Sequence, residues 1–276
     1  MSRDLVAVGE VLLDVSAPAL VWGRVVHAPV RVRAGGTPVN VAFAAAVLGA
    51  SCAVVGRVGA DPAGRAIRDA LADAGVEALL AVDEELATGT FVEAGEGTVV
   101  TDRGASAGLR GEDIPPSLAA KAVLVSGYAL LHDDSAEAAR RALTHAEARW
   151  IAVTAGSAAL VESRGPREVR ALAQGANVLF ANEAEAVALT GLAPREAAAE
   201  LARLFEIACV TRGAAGAVAS RGGEVAESGA PARVDESTPA GAGDAFAGVF
   251  LASLSSGVEL EQALAAASGA ALGMAR

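Results

Sequence analysis

The chain has 276 residues, of which 53% are hydrophobic, and its formal net charge is −11 at pH 7. This length fits one large α/β domain, or such a domain with a small appendage, and the apolar content is sufficient for a sizeable core. Charged residues interrupt nearly every apolar run before the roughly 20 residues that a membrane-spanning helix needs, and Lys and Arg form no cluster, which excludes a membrane-spanning protein and argues against a nucleic-acid partner.

The N-terminal segment and the few cysteines and histidines further limit the location and the kind of site that this protein can have. Residues 1–10 are too acidic, and their apolar run is too short, for a secretory signal, so a cytoplasmic location is expected. Cys52 and Cys209 lie in apolar, strand-like segments and are predicted to be buried core residues. His27, His132 and His145 lie far apart without metal-ligand spacing, so no zinc site is expected.

The first third of the chain alternates buried strands with helices. Strands are predicted at 5–9, 11–15, 51–55 and 76–80, and helices at 39–48 and 63–74. A glycine closes each helix, Gly49 the first and Gly75 the second. The latter half of segment 25–33 alternates apolar and charged residues, which is typical of a half-exposed strand.

Beyond residue 112 the alternation becomes regular. Strands are predicted at 121–126, 150–154, 176–181 and 206–211, helices at 134–148, 166–173, 183–190, 194–204, 243–255 and 259–274, and a β ribbon at about 215–229. Strand–helix alternation with short loops predicts an α/β fold with an open, mostly parallel sheet covered by helices on both faces.

Two β-rich segments fit poorly into this alternation. Residues 88–102 contain two short β runs around a Gly-Glu-Gly turn and are predicted to form a hairpin. We expect them to join segment 11–34 in a small β-sheet. The predicted main domain then comprises residues 1–10, 35–87 and 103–276. Ligands of such folds bind at the carboxyl ends of the strands, where a protruding sheet would act as a lid.

The most informative motif is Gly241-Ala242-Gly243-Asp244, directly before an apolar, helix-like run. Two glycines let the backbone turn its N–H groups into one concave space, and the helix that starts there adds unpaired N–H groups and the positive end of its dipole. The motif therefore predicts a seat for phosphate. Because phosphate repels a carboxylate, Asp244 is expected to have a chemical role, the removal of a proton from an attacking hydroxyl. The alternative is an Asp favoured in any first helical turn, where the dipole is expected to lower its pKa.

Three further motifs are separated along the chain: Gly35-Gly36-Thr37-Pro38-Val39-Asn40, Asn182-Glu183-Ala184-Glu185 and Thr211-Arg212-Gly213-Ala214-Ala215-Gly216. In this order and spacing, the four motifs resemble the signatures of the ribokinase-like (PfkB-type) carbohydrate kinases over nearly the whole chain. The resemblance implies a ribokinase-like fold and an enzyme that transfers the γ-phosphate of ATP, with Mg²⁺, to a hydroxyl of a small sugar. The backbone of 241–244 would then be the anion hole and Asp244 the general base.

The predicted acceptor-binding residues are Asp14, Gly35, Gly36, Asn40 and Arg103. The carboxylate can accept two hydroxyl hydrogen bonds, the glycines let the backbone approach a ligand, and the amide offers both a donor and an acceptor. The alternative for the glycines and the amide is an ordinary turn before a helix. Arg103-x-x-Ser106-Ala107 resembles the corresponding segment of 2-keto-3-deoxygluconate kinases, which leaves an acidic sugar open.

The predicted nucleotide-side residues are Asn182, Thr211, Gly213 and Gly216, with Glu185 as the metal ligand. The Asn-x-x-Glu spacing is also that of a capping box at a helix start. The resemblance places both side chains near phosphates, where Glu185 would hold Mg²⁺ directly or through water. Both interpretations can hold for different atoms of the same side chains.

Two departures from the family pattern affect these expectations. Thr238 stands where similar kinases have an Asp before Gly-Ala-Gly-Asp, so a K⁺ site would lack an anionic ligand and weak or absent activation by K⁺ is expected. Ser106 replaces a frequent Asn, so a sugar or phosphate contact can differ. The lid segment is short, so the sheet either pairs with a second copy in a homodimer or stays unpaired.

Three functions remain open on the sequence. The first is a sugar kinase, with a 2-keto-3-deoxygluconate-type sugar acid as one variant of its substrate. The second is a nucleoside kinase of the same fold, which needs an aromatic or apolar slot for a base, whereas only 3% of the residues are aromatic. The third is a non-catalytic sugar or nucleotide sensor, against which the intact Asp244, Asn182 and Glu185 argue.

Overall fold

The fold rests on two β-sheets. A computed structural model describes residues 3–17, 25–94, 98–229 and 241–273. The strands in chain order are β1 (Arg3–Val8), β2 (Leu12–Ala17), β3 (Arg31–Gly35), β4 (Cys52–Gly59), β5 (Glu77–Asp83), β6 (Thr88–Ala94), β7 (Thr98–Gly104), β8 (Leu118–Val125), β9 (Ala146–Glu147), β10 (Trp150–Thr154), β11 (Val178–Asn182), β12 (Ile207–Thr211), β13 (Ala217–Arg221) and β14 (Glu224–Ser228).

The larger sheet has the order β14-β13-β12-β11-β10-β8-β1-β4-β5, and β9 pairs with β8 at one end. Strands β12, β13 and β14 are antiparallel neighbours, whereas the pairs from β12 through β11, β10, β8, β1, β4 and β5 are parallel. The prediction of a mostly parallel sheet is confirmed. All parallel strands end at the same edge of this sheet, which is the edge that carries the site.

Helices cover both faces of the larger sheet. They are α1 (Thr37–Val47), α2 (Pro62–Asp73), α3 (Gly127–Leu131), α4 (Ala136–His145), α5 (Ala158–Arg164), α6 (Pro166–Leu172), α7 (Glu183–Thr190), α8 (Pro194–Leu201), α9 (Ala242–Ser255) and α10 (Leu260–Gly273). Alternate residues of β1 point to opposite faces, so Leu5 enters one buried cluster with α1 and α9, and Val6 enters a second with α4 and α8. Cys52 and Cys209 are buried and unbridged, as predicted.

Several predicted elements differ at their ends or were missed. Helix α1 starts two residues early because Gly36, with φ 88°, precedes it and Pro38 occupies its first turn. The helix predicted at 134–148 is shorter, and α3 and α5 were not predicted, because five and seven residues are too few for an amphipathic repeat. Of segment 25–33, only the part from Arg31 onward forms a strand, since Pro29 has no N–H to donate.

The second sheet has four strands in the order β3-β2-β6-β7. Paired residues of neighbouring strands lie on the same face, so the register places Arg33, Asp14, Phe91 and Thr101 in one row on one face. The sheet extends to Gly35 and Gly104, slightly beyond the expected lid limits, and residues 95–97 of the predicted hairpin turn lie outside the described residues. Within the described residues, no helix has both the length and the apolar character that crossing a membrane requires.

Candidate active site

A cavity of about 400 Å³ lies between the second sheet and the strand ends of the larger sheet. Its walls are Glu10, Leu12, Asp14, Gly36, Thr37, Asn40, Phe91, Val99, Thr101, Arg103, Tyr128, His132, Gly156, Asn182, Glu185, Gly241, Gly243 and Asp244. A smaller cavity of about 100 Å³ shares Tyr128, Glu185 and Asp244 with it and adds Thr154, Phe180 and Thr211. The cleft therefore has two connected ends, with Asp244 where they meet.

Asp244 stands in the first turn of α9. Gly241 precedes the helix with φ 87°, a left-handed conformation that glycine adopts without strain, and this turn aims the first helical N–H groups at the cavity. Nδ2 of Asn40, on α1, donates to Oδ2 of Asp244 at 2.9 Å. Gly243 lines the open space of both cavities, and a Cβ built on it would meet no atom of the described residues within 4 Å. An anion can occupy that space.

The environment of Asp244 differs from the expected one. Burial raises the pKa of this carboxyl to about 7, and the hydrogen bond from Asn40 acts in the opposite direction. The expectation of a lowered pKa was wrong, because removal of the carboxylate from water outweighs the helix dipole. A carboxyl with a pKa near neutrality is well suited to take up a proton at physiological pH.

At the other end of the cavity, Asp14 lies beside Gly35 and Arg33. A Cβ on Gly35 would lie 2.1 Å from Cγ of Asp14, so only glycine leaves room for this carboxylate. Nη2 of Arg33 lies 3.5 Å from Oδ2 of Asp14, while burial raises the pKa of Asp14 to about 6. Gly36 lines the cavity, but Gly35 does not; it makes room for Asp14 rather than for a ligand.

Arg103 enters the cavity from β7. Its Nη1 donates to Oδ1 of Asp134 at 2.5 Å and its Nη2 to Oγ of Ser135 at 2.7 Å. These two bonds fix the guanidinium, whereas its buried Nε has no hydrogen-bond partner within the described residues. A guanidinium fixed in this way places a positive charge in the cavity wall, where it can attract an anion.

Asn182 and Glu185 form both halves of a capping box at the start of α7. The Asn182 side chain accepts from the Glu185 N–H at 2.9 Å, and Oε2 of Glu185 accepts from the Asn182 N–H at 2.8 Å. Oε1 of Glu185 takes no part in the cap. Burial raises the pKa of Glu185 to about 7, and both residues line the cavity, so the cap does not exclude a ligand role.

The three predicted residues at the end of β12 are not brought together. Thr211 lines the smaller cavity, but Gly213 and Gly216 line neither cavity and form a tight turn with φ 52° and 85°. Their positive φ values explain why glycine stands at both positions.

Magnesium would have to bind here with few protein ligands. The described part of the chain has no group of three or more His, Cys, Asp or Glu side chains suited to a metal ion. The Glu185 carboxylate at the junction of the two cavities is an oxygen ligand of the kind Mg²⁺ accepts, and this ion usually completes its shell with water and substrate phosphates. The donor set fits a nucleotide-bound Mg²⁺. Thr238, on which the K⁺ expectation rests, lies outside the described residues.

Several residues that line the larger cavity were not among the predicted site residues, and Glu10, Phe91, Tyr128 and His132 are four of them. Glu10 follows β1 and Tyr128 follows Ser126 at the end of β8, so both stand at strand ends, where ligands of parallel sheets bind. That position was a usable signal for these two. Phe91 and His132 carried no comparable signal.

Known proteins resemble the whole chain. The model of the pfkB family carbohydrate kinases matches residues 2–274. The 2-dehydro-3-deoxygluconokinase of Thermoproteus tenax is 32% identical, over 95% of this chain and 85% of its own. The 2-dehydro-3-deoxygalactonokinase of Haloferax volcanii is also 32% identical, over 96% and 88%. The crystal structure of adenosine kinase from Sinorhizobium meliloti superposes with a TM-score of 0.88 at 25% identity, over 99% of this chain and 94% of its own.

Proposed function

Since the chain belongs to the pfkB family of carbohydrate kinases, we propose that it transfers the γ-phosphate of ATP to a hydroxyl group of a 2-keto-3-deoxy sugar acid. The observation that carries the proposal is Asp244, which is partly buried in the first turn of α9 and lines both cavities. The sugar-acid acceptor is supported by the two relatives at 32% identity and by the fixed guanidinium of Arg103 in the acceptor end.

The acceptor hydroxyl would lie beside Asp244, with Asp14, Asn40 and Arg103 holding the rest of the molecule. Asp244 takes the proton of the acceptor hydroxyl. The hydroxyl oxygen attacks the γ-phosphorus while the bond between the γ-phosphorus and the leaving oxygen of ADP breaks. N–H groups of Ala242, Gly243 and Asp244 stabilise the negative charge on the transferred group. A Mg²⁺ ion held by Glu185 would neutralise phosphate charge. Positioning and electrostatic stabilisation supply most of the rate.

Asn182 and Thr211 stand at the nucleotide end of the cleft. Gly213 and Gly216 follow in the next turn, and glycines there would let a nucleotide approach the backbone closely because they carry no Cβ. We assign these four residues to ATP binding. Weak or absent K⁺ activation is part of the same proposal.

A nucleoside kinase is the second candidate. Phe91 and Tyr128 line the acceptor cavity, although aromatic residues are rare in this chain, and an aromatic slot is what a base requires. The Sinorhizobium meliloti structure named above is an adenosine kinase. Turnover with ATP and Mg²⁺ on 2-keto-3-deoxygluconate, its galactonate epimer, ribose and adenosine decides between the candidates. Transfer to a sugar acid at a kcat/KM at least tenfold above that for adenosine is expected; the reverse order favours the nucleoside kinase, and no transfer to any acceptor contradicts both.

We propose that the domain division follows the two sheets, with residues 11–34 and 88–102 as the lid and residues 1–10, 35–87 and 103–276 as the main domain. We further propose a homodimer through the lid. The register places Val32, Val15, Val92 and Val100 in one row on the face opposite Asp14, and Val32 and Val100 are 59% and 65% exposed. An exposed apolar row of this kind would be covered by the same row of a second copy of the chain.

A further inference from the structure

Arg103 lies on β7 of the second sheet, but the side chains that hold it belong to the loop between α3 and α4, on the larger sheet. Its Nη1 donates to Oδ1 of Asp134 and its Nη2 to Oγ of Ser135, the two residues directly before α4. Both hydrogen bonds therefore cross from the second sheet to the helices of the larger one. The position of the guanidinium depends on this loop.

Ser135 makes an unusual contact for its place in the fold. It occupies the N-cap position of α4, where a serine hydroxyl usually accepts a hydrogen bond from an N–H of the first turn, but its side chain makes no such bond. Its Oγ instead donates to the carbonyl of Ala129 at 2.9 Å and accepts from Nη2 of Arg103 at 2.7 Å. Because a hydroxyl has a single hydrogen, the bond to Ala129 leaves the oxygen free to accept from Arg103. The hydroxyl of Ser135 orients Arg103 instead of capping α4.

Ser157 shows the usual contact at the same kind of position. It is the N-cap of α5, and its Oγ accepts from the N–H of Leu160 at 3.2 Å. Ser135, by contrast, is completely buried, so its hydroxyl needs partners within the protein, and these are a carbonyl group and Arg103. The capping role therefore does not explain the serine at position 135, whereas the contact with Arg103 does.

The loop that holds Arg103 is itself held by a second arginine. Arg164, at the end of α5, donates from its Nε to the carbonyl of Leu131 at 2.9 Å, and its Nη2 forms an ion pair with Asp133. Residues 132–135 are thus bound by arginines from two different elements. This fixes the place from which Ser135 contacts Arg103.

The charge of Arg103 acts inside the acceptor end of the cavity. Burial lowers the pKa of His132, and the charge of Arg103 lowers it further. Burial raises the pKa of Glu10, and the charge of Arg103 is among the smaller effects in the opposite direction. His132 and Glu10 both line the larger cavity, so the positive charge of Arg103 acts where an acceptor would bind. An acidic acceptor gains from this charge and a neutral sugar gains much less.

We propose that Ser135 is a positioning residue, which together with Asp134 holds the guanidinium of Arg103 in the wall of the acceptor end and so gives the site its preference for an acidic acceptor. This inference rests on the proposed function and names the residues outside the cavity that set its substrate class. Neither Asp134 nor Ser135 lines the larger cavity, so both act through Arg103 and not on the acceptor itself.

Ser135→Ala tests this role directly. With 2-keto-3-deoxygluconate as the acceptor and ATP at saturation, the acceptor KM should rise about tenfold, which corresponds to the loss of one hydrogen bond to a charged group. The kcat and the KM for ATP should stay within about twofold of wild type. An acceptor KM within twofold of wild type, or an equal rise in both KM values, contradicts the inference.

A double-mutant cycle separates positioning from a structural role. In the Arg103→Leu background the guanidinium is gone, so the further change Ser135→Ala should alter kcat/KM for the acceptor by less than about twofold. This ratio is measured as an initial slope and needs no saturation by the acceptor. The same tenfold loss in both backgrounds would show that Ser135 does not act through Arg103.

Ser157→Ala is the matched control, since it makes the same change at another helix N-cap. It removes the hydrogen bond to the Leu160 N–H, so it should lower the melting temperature and leave the acceptor KM unchanged. If Ser135→Ala does not fold, Asp134→Ala takes its place in the same cycle, because the Asp134 side chain is 48% exposed. Its acceptor KM should rise in the wild-type background alone, and an unchanged or lower acceptor KM contradicts the inference.

The two proposals can fail separately. Turnover of the sugar acid by the wild type, with an unchanged acceptor KM in Ser135→Ala, rejects the role of Ser135 alone. No turnover of any acceptor by the wild type rejects the proposed function.

Discussion

Partial burial raises the pKa of Asp244, and this pKa sets the pH range in which the residue can accept a proton. The position of this residue follows from the Gly-Ala-Gly-Asp spacing, but its pKa does not, because desolvation depends on residues distant in sequence. Asn40 is 204 positions away and donates the hydrogen bond that keeps the pKa from rising further. The local motif therefore predicted where this carboxyl group lies, but it predicted the wrong direction for the shift of its pKa.

The pH profile of kcat/KM should report this environment. A general base acts when it is deprotonated, so activity should fall as pH drops through the pKa of Asp244, about 7. Asn40→Ala removes a hydrogen bond that favours the charged form, so the acid limb should move to higher pH. A limb near pH 4 in the wild type, or a limb that Asn40→Ala moves downward, contradicts the assignment.

Gly35 should tolerate no side chain. In Gly35→Ala the new Cβ would lie 2.1 Å from Cγ of Asp14 and displace that carboxylate, so we expect at least a tenfold rise in the acceptor KM. Gly269→Ala is the control, since its Cβ would meet no atom of the described residues within 4 Å and a helical Ala is about 0.5–1 kcal/mol more stable than Gly. Equal acceptor KM values in the two variants would show that Asp14 does not hold the acceptor.

The motif at the start of helix α7 forms the capping box, and the cap does not exclude the metal role that we propose for Glu185. The capping spacing of Asn182 and Glu185 was visible in the sequence, and the structure contains both hydrogen bonds. The spacing did not indicate that Glu185 also lines both cavities.

Two substitutions separate these roles. Asn182→Ala removes the acceptor for the Glu185 N–H and should lower the free energy of unfolding by about 1 kcal/mol. Glu185→Gln keeps an oxygen that can accept from the Asn182 N–H, so stability should change little, while the Mg²⁺ concentration for half-maximal activity should rise at least tenfold. Denaturant unfolding and Mg²⁺ titration measure the two effects; an unchanged Mg²⁺ requirement in Glu185→Gln would limit Glu185 to the cap.

The long elements were predictable and the short ones were not. Helix α9 has 14 residues, with an acidic first turn and a buried run after it, so both its type and its start follow from the sequence. Helices α3 and α5 depend on Ser126 and Ser157 as N-caps at strand ends, and a single Ser is too common to indicate a helix.

At the scale of the whole molecule, the departure from strand–helix alternation predicted the second sheet. The pairing register of its strands determines which side chains share a face. Asp14 and Phe91 share one row although 77 positions separate them, because β2 pairs with β6 in parallel. Such pairing is set by tertiary packing. Asp14 and Arg103 were therefore predicted as acceptor-binding residues from the sequence, whereas Phe91 was not. The same holds for the link from Arg103 to Asp134.

The valine row on the outer face should hold two copies together. Val32→Glu and Val100→Glu each place a charge in the proposed contact, so we expect monomers where the wild type is a dimer. Val47→Glu is the control, since Val47 is 86% exposed and lies outside the lid. Light scattering after size-exclusion chromatography measures the mass; a monomeric wild type, or a dimer that survives both lid substitutions, contradicts the proposal.

The central claim is that the carboxylate of Asp244 removes the acceptor proton, and Asp244→Asn tests it most directly. Its side chain keeps the shape and an oxygen for the Asn40 hydrogen bond, so the fold and ATP affinity should persist while turnover falls roughly 10²-fold or more. Asp73→Asn, an exposed change on α2, should retain wild-type turnover. Turnover of Asp244→Asn within a few-fold of wild type, at unchanged ATP affinity, would contradict the account.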